Sequence, residues 1–178
     1  MTTGRDGVRE PAYTLAEMVV VVLVLAIAAA IVIGSIGTTK DAQVISAARV
    51  LASDVELARN LAVTTQVKHT VLFSSDRQSY KVVANYTGTG GGYALATAVE
   101  HPVRAKELFV VTLASLNGME SVVVGPVSFG VGGETYVTFD EEGVPSNGGS
   151  VTLRSGGTGM VISVETLTGA VSVERTAE

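Results

Sequence analysis

Residues 12–40 read AYTLAEMVVVVLVLAIAAAIVIGSIGTTK, and this stretch decides how the chain is organised. No charge falls between Glu17 and Lys40, and residues 18–33 are apolar without a break. A hydrocarbon core of ~30 Å needs roughly 20 helical residues, so the run is long enough to span a bilayer. Its valines and isoleucines are poor helix formers in water, but in lipid the helix is imposed, because each backbone N–H and C=O must bond internally. Twelve Val, Leu and Ile residues lie between 18 and 36. They favour insertion by roughly 4–7 kcal/mol, against about 3 kcal/mol for one acid at a helix centre. Glu17 therefore does not veto insertion.

The twelve residues before the run, MTTGRDGVREPA, are polar and carry Arg5, Asp6, Arg9 and Glu10. An ordinary cleaved secretory signal is a competing reading, because Ala26-Ile27-Ala28 has the small-residue pattern of a cleavage site. Against it stand the length of the apolar run and of the charged leader. Arg5 and Arg9 before the span and Lys40 after it favour an amino terminus on the cytoplasmic side. An ionisable group at the edge of a span is a functional hypothesis by default. The plainer reading of Glu17 is a carboxylate at headgroup level that complements the helix dipole.

The order Ala12-Tyr13-Thr14-Leu15-Ala16-Glu17 followed by a long apolar helix resembles the class III leader of type IV pilins and type II secretion pseudopilins. The resemblance implies cleavage between Ala12 and Tyr13 by a prepilin peptidase, and N-methylation of the new terminal amine on Tyr13. It also implies that Glu17 is the assembly residue, paired with the terminal amine of a neighbouring subunit. A carboxylate and an ammonium in a low-dielectric bundle offset each other's desolvation, and either alone is costly. The residue before the cut is usually Gly in this family, where Ala12 stands here, and the first mature residue is usually Phe, where Tyr13 stands. Many members also carry a helix proline, absent from this run.

Beyond Lys40, Val44, Ala48, Leu51, Val55, Ala58 and Ala62 recur at helical spacing, with Asp41, Arg49, Asp54, Glu56 and Arg59 mostly off the stripe. The pattern predicts one helix over residues 14–65, roughly 80 Å at ~1.5 Å per residue. The alternative is two helices broken near residues 34–38. Then the period changes to two. Strands are predicted at 67–73, 80–86, 108–114, 122–129, 135–140, 151–154, 160–165 and 170–174, with Leu167-Thr168-Gly169 as the loop of a closing hairpin. The expected class is α+β, with a long amino-terminal helix packed on an antiparallel β-sandwich. The expected organisation is a leader at 1–12, a transmembrane helix half at 13–37, an amphipathic half at 38–66 and a β-sandwich at 67–178.

The helix AARVLASDVELARNLAV at 47–63, the strand after it and the Thr168-Gly169 turn are similar to the H-type minor pseudopilins, the GspH/FimT family. That resemblance implies a structural subunit of a periplasmic pseudopilus in type II protein secretion, held in the inner membrane before assembly. Implied partners are other pseudopilin or pilin subunits, the prepilin peptidase and an inner-membrane assembly platform. The presence of Glu17 implies a subunit other than the topmost one, which usually lacks that acid. The alternative is a minor type IV or competence pilin that binds DNA or another surface ligand.

Composition argues against most chemistry. The chain has no cysteine, two histidines and a formal net charge of −5. Disulfides, thiolate metal sites and cysteine catalysis are excluded, and the charge does not favour nucleic acid. His69 is expected mid-strand, and His101 beside Pro102 in a loop, neither with a catalytic partner at a meaningful spacing. No serine lies in Gly-x-Ser-x-Gly. The 87–92 loop TGTGGG lacks the Lys-Ser/Thr of a phosphate loop. Asp140-Glu141-Glu142-Gly143 lacks the alternation of a calcium loop and reads as a solvated turn. Arg59, Lys68, Arg77 and Lys81 near Phe73 and Tyr80 form a candidate single-strand DNA patch, against which the acidic remainder of the chain argues. No metal, cofactor or enzymatic activity is expected.

Overall fold

The computed structural model describes residues 14–34, 36–88 and 92–176. The chain divides into two compact units, residues 1–38 and 39–178. The first holds helix α1, Leu15–Gly34. Helix α2 is Ile36–Thr65, and Ser35 at their junction lies outside the described residues, so the predicted single helix is seen as two described segments.

In the second unit the predicted stripe on α2 is the buried one. Val44, Ala48, Leu51, Ala58 and Ala62 have no exposed surface, and Val55 retains 2%. Ala47 joins them. Small residues on this face let the helix approach a sheet closely, while Arg49, Ser53 and Glu56 face water.

Eight strands follow: β1 His69–Phe73, β2 Ser79–Ala84, β3 Val110–Thr112, β4 Val123–Phe129, β5 Tyr136–Phe139, β6 Gly149–Ser155, β7 Thr158–Val164 and β8 Val171–Thr176. A short helix α3, Gly92–Leu95, lies between β2 and β3. The strands form two four-stranded antiparallel sheets, ordered β3-β2-β1-β5 and β4-β6-β7-β8. The predicted 108–114 strand is shorter than expected. It gives way to a 3₁₀ turn at Leu113–Ser115, where Ser115 Oγ donates to the Thr112 carbonyl at 2.7 Å.

Consecutive strands do not always share a sheet. After β4 the chain turns back through Gly130 and Gly133, both at positive φ, and β5 joins β1 in the first sheet. Phe129 and Glu134 exchange backbone hydrogen bonds of 3.0 and 2.8 Å across this turn. The chain then returns to the second sheet for β6, β7 and β8. In β4 the register slips between Val124 and Val127, at Gly125-Pro126. Proline cannot donate to a ladder, and β4 is an edge strand, where the missing N–H costs least.

One core serves α2 and both sheets. Val71, Phe73, Tyr80, Val82, Val137 and Phe139 come from the first sheet, and Val124, Phe129, Val151, Leu153, Ile162 and Val164 from the second. Phe73 and Phe129 stack across the sheets with ring centroids 6.3 Å apart. Residues of β1 on the opposite face, Thr70 and Leu72, are also buried, so β1 is covered on both sides rather than alternating. The described architecture is the α+β one expected.

Candidate functional site

The first turn of α1 is capped by Thr14. Its carbonyl accepts the N–H of Met18 at 3.2 Å, and its Oγ1 accepts the N–H of Glu17 at 3.2 Å. Thr14 and Glu17 thus have the Ncap–N3 spacing of a capping box, and Glu17 sits where the helix dipole favours a negative charge. The Thr-x-x-Glu spacing at 14–17 carried this cap in the sequence. Residues 15–29 of α1 are exposed around the whole circumference. They include Leu15 at 83% and Val22 at 64%. Among the described residues no helix is long and apolar enough to cross a membrane. Ala12 and Tyr13 lie outside the described residues.

The other residues weighed from the sequence are placed as structural ones. His69 is buried in β1, and its Nδ1 donates to the Val67 carbonyl at 2.7 Å. His101 is buried against Phe109, with ring centroids 4.5 Å apart. Its Nδ1 accepts the N–H groups of Val103 and Arg104 at 3.1 and 3.2 Å and so organises the turn around Pro102. The aromatics of the candidate patch are not on the surface. Phe73 and Tyr80 point into the core. Arg59 Nε donates to the Gly143 carbonyl at 3.0 Å. Lys81 is buried, and its Nζ donates to the Ala96 carbonyl at 2.5 Å. In the acidic turn, Asp140 Oδ1 accepts the N–H groups of Glu142 and Val144 at 3.1 and 2.7 Å. Among the described residues, no group of three or more His, Asp or Glu could hold a metal ion. The predicted 87–92 loop falls partly on residues outside those described.

One polar pair within the core had no sequence signal. The Tyr80 hydroxyl, on β2, donates to Asp54 Oδ2, on α2, at 2.6 Å. Burial raises the Asp54 carboxyl above its ordinary value, and the Tyr80 hydrogen bond opposes that shift. Burial and the neighbouring carboxylate push the Tyr80 phenol well up. The pair ties helix to sheet.

An apolar amino-terminal helix and an amphipathic helix laid on two antiparallel sheets give the chain a pilin-like architecture. The chain belongs to the GspH family: the family model described as type II transport protein GspH matches residues 47–168. Its fold is one shared with pseudopilins and pilins. Among solved structures, the chain is similar to the minor pseudopilin EpsH from the type 2 secretion system of Vibrio cholerae. The TM-score is 0.54 at 11% identity, over 76% of this chain and 99% of that one. A second structure of EpsH gives 0.53 at 13% identity, over 78% and 97%. The type IV minor pilin FimU of Pseudomonas aeruginosa gives 0.51 at 16% identity, over 77% and 92%. At these identities the likeness establishes the fold. No curated protein sequence matches the chain.

Proposed function

We propose that this chain is a minor pseudopilin, a structural subunit of a periplasmic pseudopilus in type II protein secretion. Residues 1–12 are a leader, cut between Ala12 and Tyr13 by the prepilin peptidase, after which the Tyr13 amine is methylated. Residues 13–37 anchor the chain in the inner membrane, with the amino terminus cytoplasmic and the β-sandwich periplasmic. Residues 38–66 carry the amphipathic helix half, and residues 67–178 decorate the filament. The chain contributes shape and contacts, with no catalytic step of its own.

The observation that carries this reading is the surface of α1. Its described side chains are apolar on every side and exposed, with one ionisable residue, Glu17, in the first turn. A helix that is apolar all round is stable in lipid or within a bundle of like helices. In such a bundle Glu17 pairs with the terminal amine of a neighbouring subunit and sets the register between them.

The test is the intact mass of the membrane-extracted protein after co-expression with a prepilin peptidase. Loss of residues 1–12 with one added methyl group supports the proposal, and a cut inside the apolar run overturns it. In a filament-assembly assay, Glu17→Ala removes one partner of a buried pair, and incorporation falls by at least about tenfold. Incorporation at the parental level would assign Glu17 to capping alone. The likeness to FimU favours a second reading, a minor type IV or competence pilin. Cross-linking to pilus subunits, with none to secretion pseudopilins, would select it.

A further inference from the structure

We propose that the outer face of the β3-β2-β1-β5 sheet carries a binding groove for a neutral saccharide. Three tyrosines from separate elements meet there. Tyr86 follows β2, Tyr93 lies in α3 and Tyr136 opens β5, and each is half-buried with part of its surface open to solvent. They line a groove of about 400 Å³ together with Ser75 and Thr135. Tyr86 and Tyr136 meet edge to face, with centroids 5.3 Å apart and planes at 74°. The Tyr93 hydroxyl is hydrogen-bonded to Ser79 Oγ at 2.8 Å. Lys81 Nζ stands 4.2 Å from the centre of the Tyr93 ring. Gly88, at φ +76°, lets the backbone pass Tyr136, since a Cβ there would stand 3.3 Å from the hydroxyl. The rings are held in place before any ligand arrives, which reduces the entropy lost on binding.

The chemistry of the walls selects the ligand class. None of the described lining residues is charged, so an anion or cation would lose hydration without gaining a partner. Lys81 does not line the groove: its ammonium donates to the Ala96 carbonyl and lies against the Tyr93 ring. Aromatic faces accept the apolar C–H faces of a sugar ring. The hydroxyls of Ser75, Thr135 and Tyr136 can each donate and accept, as sugar hydroxyls require. A proline-rich peptide also stacks on tyrosines, but its carbonyls only accept, leaving the acceptor capacity of the walls unused. The volume lies near the lower end of the roughly 300–1,000 Å³ of ligand clefts, room for one or two sugar rings.

The chain has no tryptophan and three of its five tyrosines line the groove, so a ligand there changes the tyrosine fluorescence, and the variants below assign the change to the groove. The full chain, in a detergent without a sugar headgroup, is titrated with maltotriose, cellotriose and diacetylchitobiose up to about 10 mM, a range that reaches weak millimolar binding. A saturable change is expected with at least one of them. Tyr136→Ala should weaken it about tenfold or more, as for an aromatic anchor. Thr135→Arg, at an exposed position on the rim, should do the same without touching the core, and its unfolding midpoint is to match the parent's. If Tyr136→Ala fails to fold, the response of Thr135→Arg decides alone. Absence of saturation with all three sugars, or an undiminished response in Thr135→Arg, overturns the proposal. A response to a proline hexapeptide with none to the sugars overturns it in favour of a peptide groove.

Discussion

Asp54 shows how a single buried group writes a pH dependence into the fold. Its folded carboxyl is raised above the unfolded value of 3.8, chiefly by burial. Below pH 3.8 both states hold the proton. Above it, up to the raised folded value, the folded chain keeps a proton that the unfolded chain has lost, and stability falls as pH rises through that window. Asp54→Asn keeps an acceptor for the Tyr80 hydroxyl and removes the ionisation. Urea unfolding at several pH values should therefore show the variant gaining on the parent from pH 3.8 toward neutrality; a constant difference would contradict the coupling. Thr14 acts at the same scale. Thr14→Ala removes the acceptor for the Glu17 N–H, a loss of about 0.5–2 kcal/mol in the first turn. It should appear as faster amide exchange at Glu17, with exchange in the β-strands unchanged.

At the scale of elements, the buried stripe of α2 holds the second unit together. Leu51 is fully buried, and Leu51→Ala is expected to lose about 2–5 kcal/mol of unfolding free energy. Ser53→Ala, on the exposed side, should stay within about 0.5 kcal/mol of the parent. The contact between β4 and β6 is equally exacting. A Cβ at Gly149 would collide with the Ser128 carbonyl and stand 2.5 Å from Phe129 Cα. Gly149→Ala therefore forces the strands apart, a cost of about 1–3 kcal/mol, to be read as a lowered thermal midpoint.

For the whole molecule, the division into residues 1–38 and 39–178 has a direct consequence. The core of the second unit is made from α2 and both sheets, and every residue in it lies beyond residue 43. A fragment starting at Thr39 should unfold in one cooperative transition in plain buffer, monitored by circular dichroism. The full chain, with the exposed apolar surface of α1, should need detergent to stay monomeric. Aggregation of the fragment or detergent-free monomers of the full chain would contradict this division of roles.

The local pattern of the sequence was enough for most of the elements. The uncharged run, the stripe from Val44 to Ala62 and the alternating strands between glycine-rich turns depend on neighbours a few residues apart, and such periodicity is readable in one dimension. The family was legible for the same reason, in the helix at 47–63. The tertiary structure alone decided which strands pair. Nothing local sends β5 to β1 while β4 pairs with β6, because register there is set by burial of the whole inner face rather than by any turn. It alone showed that β1 is covered on both faces, which removes the expected alternation. It also took the aromatics out of the expected basic patch, since Phe73 and Tyr80 turn inward, and gave Lys81 the Ala96 carbonyl as partner. The Asp54–Tyr80 pair and the meeting of Tyr86, Tyr93 and Tyr136 depend on residues distant in sequence, and a one-dimensional pattern carries no record of contacts that only packing creates.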